Sequence, residues 1–241
     1  MKTLAPVVAA ALLLAGCGGK SASVTEPQTT AATTAPATTG AAGTTSFLVY
    51  TLDPADGKLL VARATVPKTE AVATAALHEL AGYPHSDVPA GLTVSIANGD
   101  ATVSGADLSG AAEAQVVYTL TQFPTITTVN GKTRADVEDY VPAILVEQPS
   151  PGEAVTSPVR VTGNADTFEA TFQYKLEDAD GKVLAQHFVT ATSGSGTRGT
   201  FDVTIPFTVA AAQDGRLVVY ENSAENGAVI HERVVPVRLI P

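Results

Sequence analysis

The run Phe168-Glu169-Ala170-Thr171-Phe172-Gln173-Tyr174-Lys175-Leu176-Glu177 alternates apolar and polar side chains along its whole length. Successive strand residues point to opposite faces, so this stretch predicts a β-strand with one face buried and one face wet. Downstream, Asp178-Ala179-Asp180-Gly181 predicts a turn into a strand from Val183 to Thr192. Phe201, Val203, Ile205 and Phe207 alternate again, and Leu217 to Tyr220 and Val229 to Leu239 supply two more strands. Upstream, Ile144-Leu145-Val146 and Val159-Arg160-Val161 complete about seven short strands separated by turn signals, which predicts a β-sandwich over residues 143–241. The chain has one Cys and no Trp, so the sandwich is immunoglobulin-like in shape only. The wet face, carrying Glu169, Thr171, Gln173, Lys175 and Glu177, and the sheet edges are the candidate partner-binding surfaces.

Residues 46–133 alternate strand and helix signals. Phe47-Leu48-Val49-Tyr50 reads as a strand, Asp53-Pro54-Ala55-Asp56-Gly57 as a turn, and Leu59 to Val66 as a second strand. Thr69 caps a helix whose apolar stripe is Val72, Ala76 and Leu80, with Ala73 and Leu77 beside it; Gly82 and Pro84 end it. Val94 and Ile96, Asn98-Gly99, then Ala101 and Val103 predict a hairpin. Ser109 caps a second helix with Val116, Val117 and Leu120 facing inward; Pro124 stops it before a last strand at Thr125 to Val129. The order β-β-α-β-β-α-β predicts an α+β domain with helices on one sheet face. Between the two domains, residues 134–142 form a short charged linker that suggests relative motion.

The N-terminus reads as targeting sequence. Lys2 precedes an apolar stretch from Leu4 to Ala15 that is too short to span a bilayer. Leu14-Ala15-Gly16-Cys17 resembles the lipobox of bacterial lipoprotein signal peptides. That resemblance implies cleavage of residues 1–16, lipidation of Cys17 by a diacylglyceryl group and further acylation such as palmitate, and a lipid anchor on the extracytoplasmic face of the cell membrane. Residues 17–45 then comprise the lipidated Cys and a disordered Ala/Thr/Pro-rich linker with almost no large apolar side chain.

The composition limits what the domains do. A net charge of −10 argues against binding nucleic acid through its phosphates. The four His are scattered, and His231-Glu232 opens like a helical zinc motif, but residue 235 is Val. His78 and His85 flank a helix end, and they read as surface residues before they read as a metal pair. Asp178-x-Asp180-Gly181 starts like a calcium loop, but the closing Glu is missing. Ser193-Gly194-Ser195-Gly196 reads as a flexible loop and not a nucleophile elbow. Glu169 and Glu177 are too far apart along a strand for a glycosidase pair. Tyr83, Tyr118 and Tyr140 read as core or rim, with a sugar groove as the alternative. No cofactor, metal or catalytic set is expected.

Two stretches also carry family resemblances. Ala75 to Gly82, Val88-Pro89-Ala90-Gly91-Leu92, Gly99 to Val103, and Val117 to Pro124 leading to Val129-Asn130-Gly131 together resemble the sporulation and spore germination (GerMN) domain, with Tyr83 inserted between Gly82 and Pro84. Pro149 to Gly152, Ser157-Pro158-Val159, Val161 to Ala165, Gly181 to Ala185 and Gly199-Thr200-Phe201 resemble the immunoglobulin-like domain of bacterial spore germination. Behind a lipobox, this pair resembles a Gram-positive surface lipoprotein. The resemblance implies a non-catalytic binding or scaffolding module of the cell envelope, partnered by an envelope protein or a cell-wall polymer, and it admits self-association. The alternatives are a ligand sensor or accessory subunit of a membrane protein, and an enzyme acting on peptidoglycan or another glycan.

Overall fold

The computed structural model describes residues 43–241. Cys17, the lipobox residues Leu14, Ala15 and Gly16, and nearly all of the expected linker lie outside them. The first part runs β1 (Thr44–Leu52), β2 (Leu59–Pro67), α1 (Val72–Gly82), β3 (Thr93–Ala97), β4 (Asp100–Ser104), α2 (Gly110–Leu120) and β5 (Thr128–Val129). This is the β-β-α-β-β-α-β order that the periodicities predict. The first strand starts at Thr44, where Thr44 and Thr45 pair with Pro67 and Val66, so its first two residues come from the expected linker.

The strands divide between two small sheets. β1 and β2 form an antiparallel pair, while β4 pairs antiparallel with β3 and parallel with the two-residue β5. Helix α1 buries Ala73, Ala76, Leu77 and Leu80 beneath the core residues Phe47, Val49, Leu59 and Val61, while Val72, the first residue of the expected stripe, is half-buried. It starts at Val72 after Ala71, and the Thr69 hydroxyl accepts the Ala71 N–H in the turn before the helix. Ser109 stands at the start of α2 without a side-chain cap bond. The inserted Tyr83 packs against this core and donates its hydroxyl to the Arg63 carbonyl.

The second part runs β6 (Ile144–Gln148), β7 (Ala154–Val155), β8 (Val159–Ala165), β9 (Thr171–Asp178), β10 (Val183–Thr190), β11 (Gly199–Ile205), β12 (Gln213–Asn222) and β13 (Val229–Leu239). One sheet has the order β10-β9-β12-β13-β7 and the other β11-β8-β6. Phe172, Leu176, Phe201, Ile205, Leu217 and Leu239 meet in the core of an immunoglobulin-like sandwich. At Gly163 of β8 a side chain would collide with the Leu145 carbonyl and the Phe201 ring, so only glycine lets β6 and β8 approach this closely.

The quoted run departs from expectation at its start. Phe168–Ala170 is a 3-10 turn, with Glu169 and Ala170 at φ +52° and +56°, and Phe168 is exposed. The chain bends there because the loop at Gly194 packs directly on Ala170, and the Thr167 carbonyl accepts both the Ala170 and Ser195 N–H groups.

Residues 134–142 are not an extended linker. Arg134–Tyr140 forms a 3-10 helix closed at its start by Thr133 and Asp136, and Val137 and Val141 enter the first core. Strand β6 then serves both halves. Leu145 is buried in the first core, whereas Ile144 and Val146 are buried in the sandwich core. Alternation along one strand therefore joins the two cores.

Candidate functional site

Polar and charged side chains gather in two places: the joint between the two halves, and the outer face of the five-stranded sheet. The joint is built around Glu147 of β6. Its Oε1 accepts the Tyr50 hydroxyl at 2.6 Å and Arg134 Nη1 at 2.8 Å. The Arg134 guanidinium also donates to Thr121 Oγ1 and lies 4.4 Å from the Tyr118 ring centroid and 5.7 Å from that of Tyr50. Cation, carboxylate and two aromatic rings thus form one packed unit. Burial, and then the Glu147 charge, push the Tyr50 phenol well above its ordinary value against the opposing pull of Arg134, so it stays a donor.

Further ion pairs flank this centre. Arg63 of β2 reaches Glu153 at 3.0 Å and Ser150 Oγ at 3.1 Å. Burial raises the Glu153 carboxyl, but the Ser150 N–H and hydroxyl together with Arg63 outweigh it and hold the group below its ordinary value. Arg233 of β13 grips both carboxylates of the β1–β2 turn, Asp53 at 2.8 Å and also Asp56. Asp56 likewise ends below its ordinary value: burial pushes it up, and the Lys58 N–H and Arg233 overcome that push. Lys58 Nζ donates to the Asp139 carbonyl.

Beside the joint lies a cleft of about 650 Å³, lined from the first half by Asp56 and Lys58, from the connecting segment by Glu138, and from the sandwich by Asp166, Arg198 and His231. His231 lies in β13, exposed beside the exposed Glu232. It sits at φ +55° where the β12–β13 register shifts, and its Nδ1 lies 2.8 Å from Oε2 of the buried Glu221. The other Glu221 oxygen accepts the Phe168 N–H, which fixes the turn carrying that exposed ring.

The predicted face is only partly assembled. Thr171, Gln173, Lys175 and Glu177 share the outer side of β9, but Glu169 lies in the preceding turn. Glu177 is 4% exposed. Lys175 Nζ approaches it at 3.0 Å and Arg216 covers its other oxygen, and these hydrogen bonds, Arg216 first, hold its carboxyl below the ordinary value. Across the sheet, Lys175 neighbours Gln186 and Val218, and Val218 neighbours Val234. The outer face therefore carries an ion-pair cluster of one carboxylate and two cations set among Phe188, Val218, Tyr220 and Val234.

The remaining residues singled out from sequence lie in turns, in the first core or at the surface. Asp178 Oδ1 accepts the Asp180 and Lys182 N–H groups and closes a turn. Ser195 is pinned, its hydroxyl accepting the Glu169 N–H. Tyr118 is fully buried, and Tyr83 and Tyr140 pack against the first core. The His78 side chain is exposed, and the His85 carbonyl accepts the Leu52 N–H. Among the described residues, no His, Cys, Asp and Glu side chains group to hold a metal ion.

A further polar set was hidden in the sequence. Gln115 and Thr119 of α2, and Gln122 in the turn that follows it, line the side of β1 that faces away from β2. Gln122 accepts the Leu48 N–H and donates to the Leu48 carbonyl, Thr119 Oγ1 accepts the Tyr50 N–H, and Gln115 donates to the Tyr50 carbonyl. The His85 carbonyl takes the Leu52 N–H beyond them. The spacing of four and then three, running from the helix into the turn after it, was the available signal.

Residues 48–132 match the family described as sporulation and spore germination, and residues 143–228 match the immunoglobulin-like domain of bacterial spore germination. Neither description names a catalytic activity, and the pair points to a non-catalytic binding module. Among solved structures, CopC from Methylosinus trichosporium OB3b is similar at 14% identity, covering 41% of this chain and 94% of its own, with a TM-score of 0.27. WR4, a C. elegans MSP family member, is similar at 14% identity, covering 41% of this chain and 97% of its own, with a TM-score of 0.24. No curated protein matches the chain.

Proposed function

We propose, from the premise that this chain joins a sporulation and spore germination domain to an immunoglobulin-like domain of bacterial spore germination, that it is a lipid-anchored binding or scaffolding module of the cell envelope. The observation that carries the reading is the shared strand β6. One strand buried in both cores, with its Glu147 bound by Tyr50 of the first half and Arg134 of the connecting segment, presents the sandwich face and the α+β surface to partners as one unit. Asp56 is ion-paired and shifted down, the opposite of the raised carboxyl a general acid needs. The anchor rests on Leu14-Ala15-Gly16-Cys17, and partners are a cell-wall polymer or another envelope protein.

Two measurements test this. The full chain expressed in a Gram-positive host partitions to the membrane fraction, and Cys17→Ala releases it; unchanged membrane association of the variant would refute the anchor. Residues 43–241 mixed with purified sacculi pellet saturably without releasing muropeptides. Released muropeptides would make the protein an enzyme, and no pelleting would move the partner from wall polymer to protein.

The cleft favours one second reading, a ligand sensor or accessory subunit of a membrane protein, because its wall is made by both halves and a bound molecule would touch both. Cleft substitutions that abolish a cellular response while leaving sacculus binding intact would favour the sensor.

A further inference from the structure

Among the described residues the sheet edges are closed in different ways, and that of β10 is left open. The free side of β1 is bonded by Gln115, Thr119 and Gln122. β2 carries Arg63 and ends on Pro67, β3 has five residues, β5 and β7 have two each, β6 carries Glu147 and packs against the first core, and β11 carries Asp202. Charge, proline, shortness and cover are the usual protections against strand addition. β10 has one irregularity near Leu184 and otherwise none of them. Its eight residues, Val183-Leu184-Ala185-Gln186-His187-Phe188-Val189-Thr190, include no charge and no proline. Among the described residues its backbone is bonded through the β9 ladder, plus one contact from the exposed His187 ring to the Phe188 carbonyl. Phe188 itself is 55% exposed on the outer side of this edge.

We propose that β10 is a homodimerisation edge, pairing antiparallel with β10 of a second copy about a two-fold axis at Phe188. Charge selects the occupant. The chain carries −10, so two copies repel unless they meet where neither is charged. β10 carries no Asp, Glu, Lys or Arg, and the nearest charges on β9, Lys175 and Glu177, are ion-paired, Glu177 with Arg216 as well. An axis at Phe188 brings the two rings together, sets Gln186 opposite Thr190 of the second copy, and lets like strands exchange backbone hydrogen bonds. Antiparallel pairing of identical edges is self-complementary and closes as a dimer. The five-stranded sheet becomes continuous across the two copies, and the apolar outer faces around Val218 and Val234 become one surface.

The test uses residues 43–241, which contain both cores and every joint contact described and lack the chain's sole Cys. Sedimentation velocity over about 1–100 µM, a range that registers Kd values in the micromolar region, should show a monomer–dimer equilibrium. Phe188→Cys should form a disulfide-linked dimer under mild oxidation, since directly opposed strand residues lie at about 4.5–5.5 Å between Cα atoms, within disulfide reach. Thr204→Cys, on the exposed side of β11, should not. Phe188→Lys should weaken association by at least about 100-fold through two like charges at the axis, with unchanged melting temperature. A monomer throughout, a dimer indifferent to Phe188→Lys, or equally fast cross-linking at residue 204 would overturn the proposal. None of these results depends on the sacculus or on Cys17.

Discussion

β1 and β10 are both edge strands, and the molecule treats them oppositely. The free side of β1 faces α2, where Gln115, Thr119 and Gln122 occupy the positions a neighbouring strand would take. The free side of β10 carries an exposed Phe188 and uncharged neighbours. The contrast teaches that a strand edge is closed by whatever donors and acceptors the fold can aim at it, side chains of a helix included. An edge inside a core must be closed, because an unmet backbone group there costs about 1–3 kcal/mol. An edge at the surface can stay open, since water bonds its groups until another strand replaces it.

The comparison breaks most directly at α2. Gln115→Leu combined with Gln122→Leu keeps the helix and removes the edge partners. We expect a loss of about 2–4 kcal/mol in urea denaturation; a loss under about 1 kcal/mol would mean that β1 does not depend on the stripe. Arg134→Met comes next. It keeps the stem over Tyr118 but leaves Glu147 without its cation, at an expected cost of about 1–3 kcal/mol. Replacing Glu147 by Gln in the same chain should recover part of that loss.

Acid separates the two kinds of closure. Asp56 and Glu153 titrate below their ordinary values of 3.8 and 4.5 in the folded chain, so the unfolded chain binds more protons as pH falls into that range. Their contribution is full above those values and is lost as pH drops through the folded ones. Melting temperature should therefore fall below about pH 4.5, and Asp56→Asn with Glu153→Gln should flatten part of that fall. The Gln and Thr side chains of the β1 edge do not titrate there. The smallest effect belongs to β10: Gln186→Lys should change folding stability by no more than about 0.5 kcal/mol, while lowering self-association.

The elements were legible because burial writes itself into local periodicity. Val72, Ala76 and Leu80 marked α1, and the alternation from Phe172 to Leu176 marked β9, with no knowledge of what each packs against. Other features were set from far away in the chain. Phe168 reads as a buried strand residue, yet Gly194 pressing on Ala170 turns it out. Glu177 reads as a wet strand residue, yet Arg216 and Lys175 cover it. Tyr50 meets Glu147 and Asp53 meets Arg233 across much of the chain, and no local pattern announces such partners. The polar stripe on α2 was local but opposed the apolar rule used to find helices, so it was readable only by asking where the β1 backbone bonds go.

Strand β6 also bears on inheritance. A recombination cut between Ile144 and Leu145 would give one product a core without Leu145 and the other a sandwich without Ile144, and a cut after Leu145 would still deprive the sandwich of Ile144. Exchange of either half for an unrelated domain is penalised at the first step. The two halves should therefore travel together through evolution, with substitutions at Leu145 answered in the first core and those at Ile144 and Val146 answered in the second.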